Sequence, residues 1–273
     1  MKVVIVGGVA GGASAAARLR RLDENAEIVM LERGEYISYA NCGLPYYVGG
    51  EIEDREDLTL QTPESFRARF NVDVRVLSEA IAIDRAAREV IVRDRAADAE
   101  YRERYDALIL SPGAEPVRPP LPGADDGRVF TMRTVPDALA VRRFIDERGP
   151  RRALVVGGGY IGLEMAENLM RAGLDVTVVE LADHLIAPLD FDMAADVHAY
   201  LRQQGVKLLL GQAVKGFEPA GAALRALVGG RAIEADLVIL SVGVRPESGL
   251  ARAAGLELTP RGLIVVDEHM RTS

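Results

Sequence analysis

The chain has 273 residues, 49% hydrophobic and 27% charged, with a net charge of -8 at pH 7. That length accommodates two domains with separate cores. The composition is that of a folded globular protein, and the acidic balance argues against a nucleic-acid partner. Lysine is confined to Lys2, Lys207 and Lys215, so arginine, whose planar fork suits phosphates and carboxylates, supplies almost all the positive charge. A lone cysteine, Cys42, excludes an intrachain disulfide and fits a reducing, cytoplasmic setting. His184, His198 and His269 lack ligand spacing, so no metal site is expected. No stretch reaches the roughly 18 apolar residues of a membrane span, and no membrane partner is expected.

In chain order, VVIVGGVAGGASAAARLRRLDENAEIVMLERGEY (3–36) comes first. It predicts a buried apolar strand, a turn carrying Gly7, Gly8, Ala10, Gly11 and Gly12, an amphipathic helix, a second apolar strand and the acid Glu32. Glycines let a backbone turn tightly and approach a pyrophosphate, whose charge is met by the N-terminus of the following helix. Glu32 lies 20 residues after Gly12, the interval of about 20 expected of an acid that binds an adenosine ribose. On the helix, Ser14, Arg18 and Arg21 fall at i, i+4 and i+7 and share a face. That face suits a phosphorylated ligand, or is a solvated basic stripe balanced by Asp23 and Glu24.

SYANCGLPYY (38–47) is the next segment. Asn41 is placed to cap a short helix beginning near Cys42, with Pro45 in its first turn. Cysteine alone is more often a small buried hydrophobe than a nucleophile; the nucleophile is the thiolate, which a helix N-terminus favours. Thr62-Pro63-Glu64-Ser65 predicts a helix start, and VDVRV, EAIAID, REVIV and AEYRERY then alternate as a small antiparallel β-meander. An apolar strand closes the unit at Ser111-Pro112-Gly113.

After a linker rich in proline and glycine (115–127), ALVVGGGYIGLEMAENLMRAGLDVTVVELADH (153–184) repeats the first pattern. Gly157, Gly159 and Gly162 form a full G-x-G-x-x-G, and Glu180 comes 18 residues after Gly162. The first copy departs from that fingerprint, because Val9 stands at the middle glycine position. A helix over 192–204, a strand at KLLLG, short strands over 223–235 and a closing strand ending at Gly243 are expected next. GLIVVDEHMRTS (262–273) reads as a new strand. The expected fold is α/β, two nested Rossmann-like (doubly wound, parallel sheet) dinucleotide-binding domains, each with a small antiparallel meander. The first spans 1–120 and is rejoined over 244–273; the second spans 121–243.

GGVAGGASAAARLRRL, SYANCGLPYY, LQTPESFRARFNVDV, LILSPGA and VVGGGYIGLEMAENL together resemble the single-cysteine branch of the flavin-dependent pyridine nucleotide–disulfide oxidoreductases. That branch comprises coenzyme A-disulfide reductases, NADH-dependent persulfide reductases and NADH oxidases. The C-x4-C pair of glutathione reductase-like members is missing, and Ala10 stands where typical NADH oxidases carry histidine. The resemblance implies FAD on the first unit and NADH on the second, NADPH being disfavoured by the Glu180 carboxylate.

It further implies that Cys42 forms a mixed disulfide with a coenzyme A-type thiol contacted by Ser14, Arg18, Arg21, Ser38 and Asn41. Glu32 and Arg33 would hold the adenosine half of FAD, with Ala80, Ser111, Pro112, Gly113 and Arg133 on the flavin side. Tyr160, Ile161, Glu164 and Gly243 would join the second nucleotide site. Electrons would pass from NADH through FAD to the Cys42 disulfide. Two alternatives stand beside this: an NADH oxidase using Cys42 as a sulfenic acid, and a non-catalytic nucleotide-binding module. Family members continue with a second flavin motif and a dimerisation domain, which is expected to be absent here; the full-length protein would be a homodimer.

Overall fold

The computed structural model covers residues 1–273, and the chain forms two compact units. One comprises Met1–Ala40, Thr59–Glu115 and Arg245–Ser273; the other comprises Asn41–Leu58 and Pro116–Val244.

The first unit begins with β1 (Lys2–Val6), α1 (Ala10–Leu22) and β2 (Glu27–Leu31). The chain then contributes the 3-10 turn Asn41–Gly43 and α2 (Leu44–Gly49) to the second unit. Back in the first unit, α3 (Pro63–Phe70) starts as its sequence predicts. The Thr62 hydroxyl accepts the Ser65 N–H at 3.1 Å, the Ser65 hydroxyl accepts the Thr62 N–H at 2.9 Å, and Pro63 occupies the first turn. Next come β3 (Asp73–Arg75), the antiparallel strands β4 (Ser78–Asp84), β5 (Glu89–Asp94) and β6 (Ala99–Arg104), then β7 (Ala107–Leu110) and β8 (Ala114–Pro116). The parallel sheet has the order β3-β2-β1-β7.

Alternation of side chains explains its two covered faces. Val3, Ile5, Ile28 and Met30 pack with Ala13 and Ala16 of α1 and Phe66 of α3, whereas Val4, Val29 and Leu31 pack with Val90 and Val92 of the meander. Burial of each of these Val, Ile, Leu, Met and Phe side chains contributes about 1.5–3 kcal/mol.

The second unit continues through β9 (Val129–Phe130), α4 (Val135–Arg148), β10 (Arg152–Val156), α5 (Tyr160–Arg171), β11 (Asp175–Val179), α6 (Phe191–Gln203) and β12 (Lys207–Leu209). A meander of β13 (Val214–Ala220), β14 (Ala223–Val228) and β15 (Arg231–Ala235) leads to β16 (Leu237–Leu240). The sheet order is β12-β11-β10-β16-β9, and Leu154, Val156, Val238 and Leu240 pack on Phe217, Leu224 and Ala226 of the meander. The chain ends through β17 (Val244–Pro246) and α7 (Gly249–Ala253).

The structure departs from the expectations at four places. VDVRV is not a meander strand: β3 pairs in parallel with β2 (Val29↔Asp73, Leu31↔Arg75), because Val72 and Val74 are buried in the same cluster as Phe66. The tail forms no strand, only a bridge from Ile264 to Leu258, with no ladder to extend it. Asn41 caps no helix; it lies inside the 3-10 turn, and Gly43 holds the cap position of α2 with no side-chain hydrogen bond. The segment Asn41–Leu58, inside the expected span 1–120, packs with the second unit. No helix is long and apolar enough to cross a membrane.

Candidate functional site: two nucleotide cradles and one cysteine

The two Gly-rich turns repeat one another bond for bond. Gly7 N–H donates to Leu31 O at 2.9 Å and Gly157 N–H to Val179 O at 2.8 Å; Ser111 N–H donates to Val6 O and Ser241 N–H to Val156 O, both at 2.8 Å. Gly7 (φ +96°) and Gly157 (φ +108°) sit where an L side chain is strained, and a Cβ on either would lie 2.1 Å from the carbonyl oxygen of Ser111 or Ser241. On Gly12 and Gly162 a Cβ would lie 1.7 Å and 2.1 Å from the carbonyl oxygens of Gly7 and Gly157. These glycines therefore let each helix press against its own turn.

Gly159 differs. Its φ is -79°, which any residue adopts, and a Cβ there would meet nothing within 4 Å. The fold does not require glycine here, and the space beyond its Cα is open. The first backbone bond into α1 is Ala13 N–H to Val9 O, and into α5 Leu163 N–H to Gly159 O. The N–H groups of Ala10, Gly11 and Gly12, and of Tyr160, Ile161 and Gly162, thus have no helical acceptor. Two such helix ends, each behind a glycine turn at the carboxyl end of a parallel strand, fit a dinucleotide pyrophosphate. Tyr160 and Ile161 are exposed beside the second of them.

Both predicted acids are half-buried and already serve the turns. Glu32 accepts the N–H groups of Gly8 and Gly34, each at 2.8 Å; Glu180 accepts those of Gly158 at 2.6 Å and Ala182 at 2.8 Å. Each carboxylate oxygen has a second lone pair for a ribose hydroxyl. Leu181, directly after Glu180, is 72% exposed and apolar. Ser38 has a positive φ of 44° and donates its N–H to Gly8 O at 2.9 Å; its counterpart Ile186 (φ 53°) does the same to Gly158 O. Gly158, Ser241 and Ile186 were not singled out from the sequence, yet aligning the repeats on Gly8, Ser111 and Ser38 would have found them.

The remaining candidates divide between the units. In the first, Ser14, Arg18 and Arg21 are exposed and make no hydrogen bond or ion pair, whereas Arg20 binds the carbonyls of Phe70, Asp23, Glu24 and Asn71. Arg33 is engaged by Glu115 at 3.6 Å and Glu247 at 3.5 Å. Ala80 is half-buried on β4, and Ser111, Pro112 and the exposed Gly113 (φ +76°) directly follow β7, β1's other neighbour.

In the second unit, Gly243 (φ +111°) is exposed and Arg133 is half-buried at the start of α4. Glu164 on α5 is half-buried, and burial, with Glu167 adding to it, pushes its carboxyl above the usual range. Cys42 is exposed and free in its turn, while Leu44 and Val48 bury one stripe of α2 against α5 and α4. No group of three His, Cys, Asp or Glu residues is arranged to hold a metal. A cleft of about 1100 Å³ opens elsewhere on this unit, lined by residues such as Arg128, Phe144 and Arg152, and none of the predicted residues reaches it.

Two Rossmann-like strand–turn–helix units in one chain, each with a glycine turn and an acid clasping it, define the class of fold to which the chain belongs. The chain belongs to the pyridine nucleotide-disulphide oxidoreductase family, whose description matches residues 1–273. It is 35% identical to the NADH oxidase of Methanocaldococcus jannaschii, covering 100% of this chain and 61% of that one, and 34% identical to the coenzyme A disulfide reductase of Staphylococcus haemolyticus, covering 100% and 60%. Among solved structures, reduced Bacillus anthracis CoADR-RHD superposes with a TM-score of 0.96 at 50% identity over 99% of this chain and 49% of that one. The NAD-dependent persulfide reductase from A. fulgidus gives 0.95 at 37% identity over 100% and 51%. The chain spans about 60% of the length of the curated relatives it matches.

Proposed function

We propose that the protein is a flavoprotein reductase that uses NADH to reduce a coenzyme A-type disulfide or persulfide through Cys42. The observation that carries this reading is the cysteine itself: it is free and exposed and has no second cysteine within residues 1–273 to pair with, so its sulfur is open to a thiol from outside. The thiolate attacks the substrate disulfide, the S–S bond breaks, one thiol leaves and a mixed disulfide forms. Two electrons from NADH and one proton then cleave that bond, releasing the second thiol and restoring Cys42. Bound FAD supplies the two-electron relay between nicotinamide and sulfur. The first cradle, with Glu32, holds FAD; the second, with Glu180, holds NADH, and a carboxylate followed by apolar Leu181 repels the 2′-phosphate of NADPH. The unengaged Ser14, Arg18 and Arg21 offer a hydroxyl and two guanidiniums to the substrate's phosphates, together with Ser38 and Asn41. The whole protein acts as a homodimer.

Turnover of coenzyme A disulfide by the FAD-loaded protein, with and without Cys42→Ser, tests the reading. The substitution is expected to lower disulfide reduction by about 10³-fold or more while NADH-to-ferricyanide turnover, which needs no thiol, persists. Undiminished disulfide reduction in the variant would sink it. The M. jannaschii relative gives oxygen as a second acceptor; rapid oxygen consumption without coenzyme A would favour the oxidase. A colourless protein that still binds NADH would favour the nucleotide-binding module.

A further inference from the structure

Helix α2 begins two residues after Cys42 and ends on two glycines with different reasons for being there. Gly50 takes φ +80°, the left-handed cap. Gly49 is an ordinary helical residue, a position where alanine is the better helix former. What forbids a side chain at 49 lies on another helix. A Cβ there would fall 2.5 Å from Asn168 Oδ1, 3.0 Å from its Cβ and 3.1 Å from its Cγ.

Asn168 is fully buried on α5. Its Nδ2 donates to Glu164 O at 2.8 Å, and its Oδ1 has no donor. Exchanging the amide's O and N would set two acceptors face to face, so the orientation is fixed by its surroundings. Oδ1 is therefore aimed at the Cα–H of Gly49, a weak but directional contact. A helical glycine and an orphan buried oxygen are each unfavourable alone, and here they meet. An alanine against an apolar side chain would avoid both penalties but would leave a smooth surface on which α2 can slide.

We infer that the Gly49–Asn168 contact is a positioning latch that sets the height and rotation of α2 on α5 and so places the Cys42 sulfur. Its relevance to turnover rests on the reading of Cys42 as the redox sulfur. Two further bonds secure the same end of α2: Arg142 Nη1 donates to Val48 O at 3.3 Å, and Arg171 pairs with Glu51. Helix α5 carries the Gly159–Gly162 cradle at its start and Asn168 nine residues later, about 14 Å along the axis. The second nucleotide cradle and the reactive sulfur thus take their positions from one helix.

The test compares Gly49→Ala, Asn168→Ala and the double variant in the FAD-loaded protein. Three rates are read: iodoacetamide alkylation, which reports Cys42 alone because the chain has no other thiol, coenzyme A disulfide reduction, and NADH-to-ferricyanide turnover. Gly49→Ala is expected to shift alkylation about threefold and to lower disulfide reduction about tenfold, with ferricyanide turnover within about twofold of wild type. The double variant removes the carboxamide and leaves only the Cβ at position 168, 3.0 Å from the new methyl. It is expected to bring disulfide reduction back to within about threefold of wild type and alkylation to within about 1.5-fold, a non-additivity that generic damage does not produce. Should Gly49→Ala fail to fold, Asn168→Ala, which opens the contact instead of crowding it, is expected to raise alkylation about threefold. The latch is overturned by a Gly49→Ala protein with wild-type Cys42 rates, by a double variant no better than Gly49→Ala, or by a parallel fall in ferricyanide turnover. If Cys42→Ser retained disulfide reduction, the functional reading would fail and the alkylation rates alone would judge the latch.

Discussion

The two βαβ copies share their turn hydrogen bonds, their strained first glycine and their acid-to-backbone clasp, yet they differ where a ligand would lie. In the second copy the middle position is Gly159 with empty space beyond its Cα; in the first it is Val9, with ψ -123° where Gly159 has -178°. They also part company beyond the clasp. After Ser38 the chain leaves for the other unit and brings Cys42 with it, whereas after Ile186 it enters α6 within the same unit. The shared parts build the turn; the divergent parts are where the two copies can differ in what they bind.

The largest effect should come from the parts the copies share. Gly12→Ala and Gly162→Ala each drive a methyl into a backbone oxygen of the preceding turn, at 1.7 Å and 2.1 Å. Neither oxygen can swing aside like a side chain, so each helix must move off its strand at a cost of about 3 kcal/mol or more. Flavin retention and thermal unfolding would read the first variant, NADH binding and unfolding the second. Wild-type melting in either would show that the close approach is not required.

Gly159→Ala sharpens the comparison from the opposite side. With nothing near its Cβ, the variant should keep its stability to within about 1 kcal/mol, alanine being only a poorer N-cap than glycine. NADH affinity, by titration of the holoenzyme, is expected to fall about tenfold, because the methyl enters the space a pyrophosphate would occupy. Equal affinity would mean the space serves no ligand.

The reach of each signal explains how much of the molecule was legible in its sequence. Thr62-Pro63-Glu64-Ser65 predicted the start of α3 because capping is settled within four residues. Strand, turn, helix and acid were legible in both copies because glycine spacing is a local demand of the backbone. The strand at 73–75 was misassigned because alternation specifies a half-buried strand without specifying its partner, and Val72 and Val74 alternate as well for a parallel neighbour as for a meander. The tail run 262–266 is apolar but has no ladder to join, so apolar content alone produced no strand. Nothing local could show that Cys42 travels with the second unit, or that a Cβ on Gly49 would meet Asn168, 119 positions away.

The smallest expected effect separates the copies by pH. Gly8 rests against Ile37 and Gly158 against Leu185, but only the second has a histidine beneath it. The buried His198 accepts the Leu185 N–H on Nε2 at 3.0 Å, which requires the neutral ring with its proton on Nδ1. Burial lowers its pKa, and Arg202 and His184 add to the shift. The unfolded chain therefore takes up the proton first as pH falls, so this contribution to stability is full above about pH 6.5 and declines below it.

His184 pulls the other way. Its Nδ1 faces Asp183 Oδ1 at 2.6 Å and its Nε2 faces Leu189 O at 3.1 Å, both acceptors, and Asp183 raises its pKa. Its contribution is present at low pH and is lost as pH rises through the raised value, weakened by the exposure of Asp183. Ring-proton NMR should show His198 titrating below the ordinary histidine value and His184 above it. His198→Gln, which keeps an acceptor for Leu185 N–H, should reduce the loss of stability between about pH 6.5 and 5 in urea unfolding. A His198 that titrates above the ordinary value would mean that the Leu185 N–H does not hold its ring neutral, and the acid sensitivity would then have to arise elsewhere in the second unit.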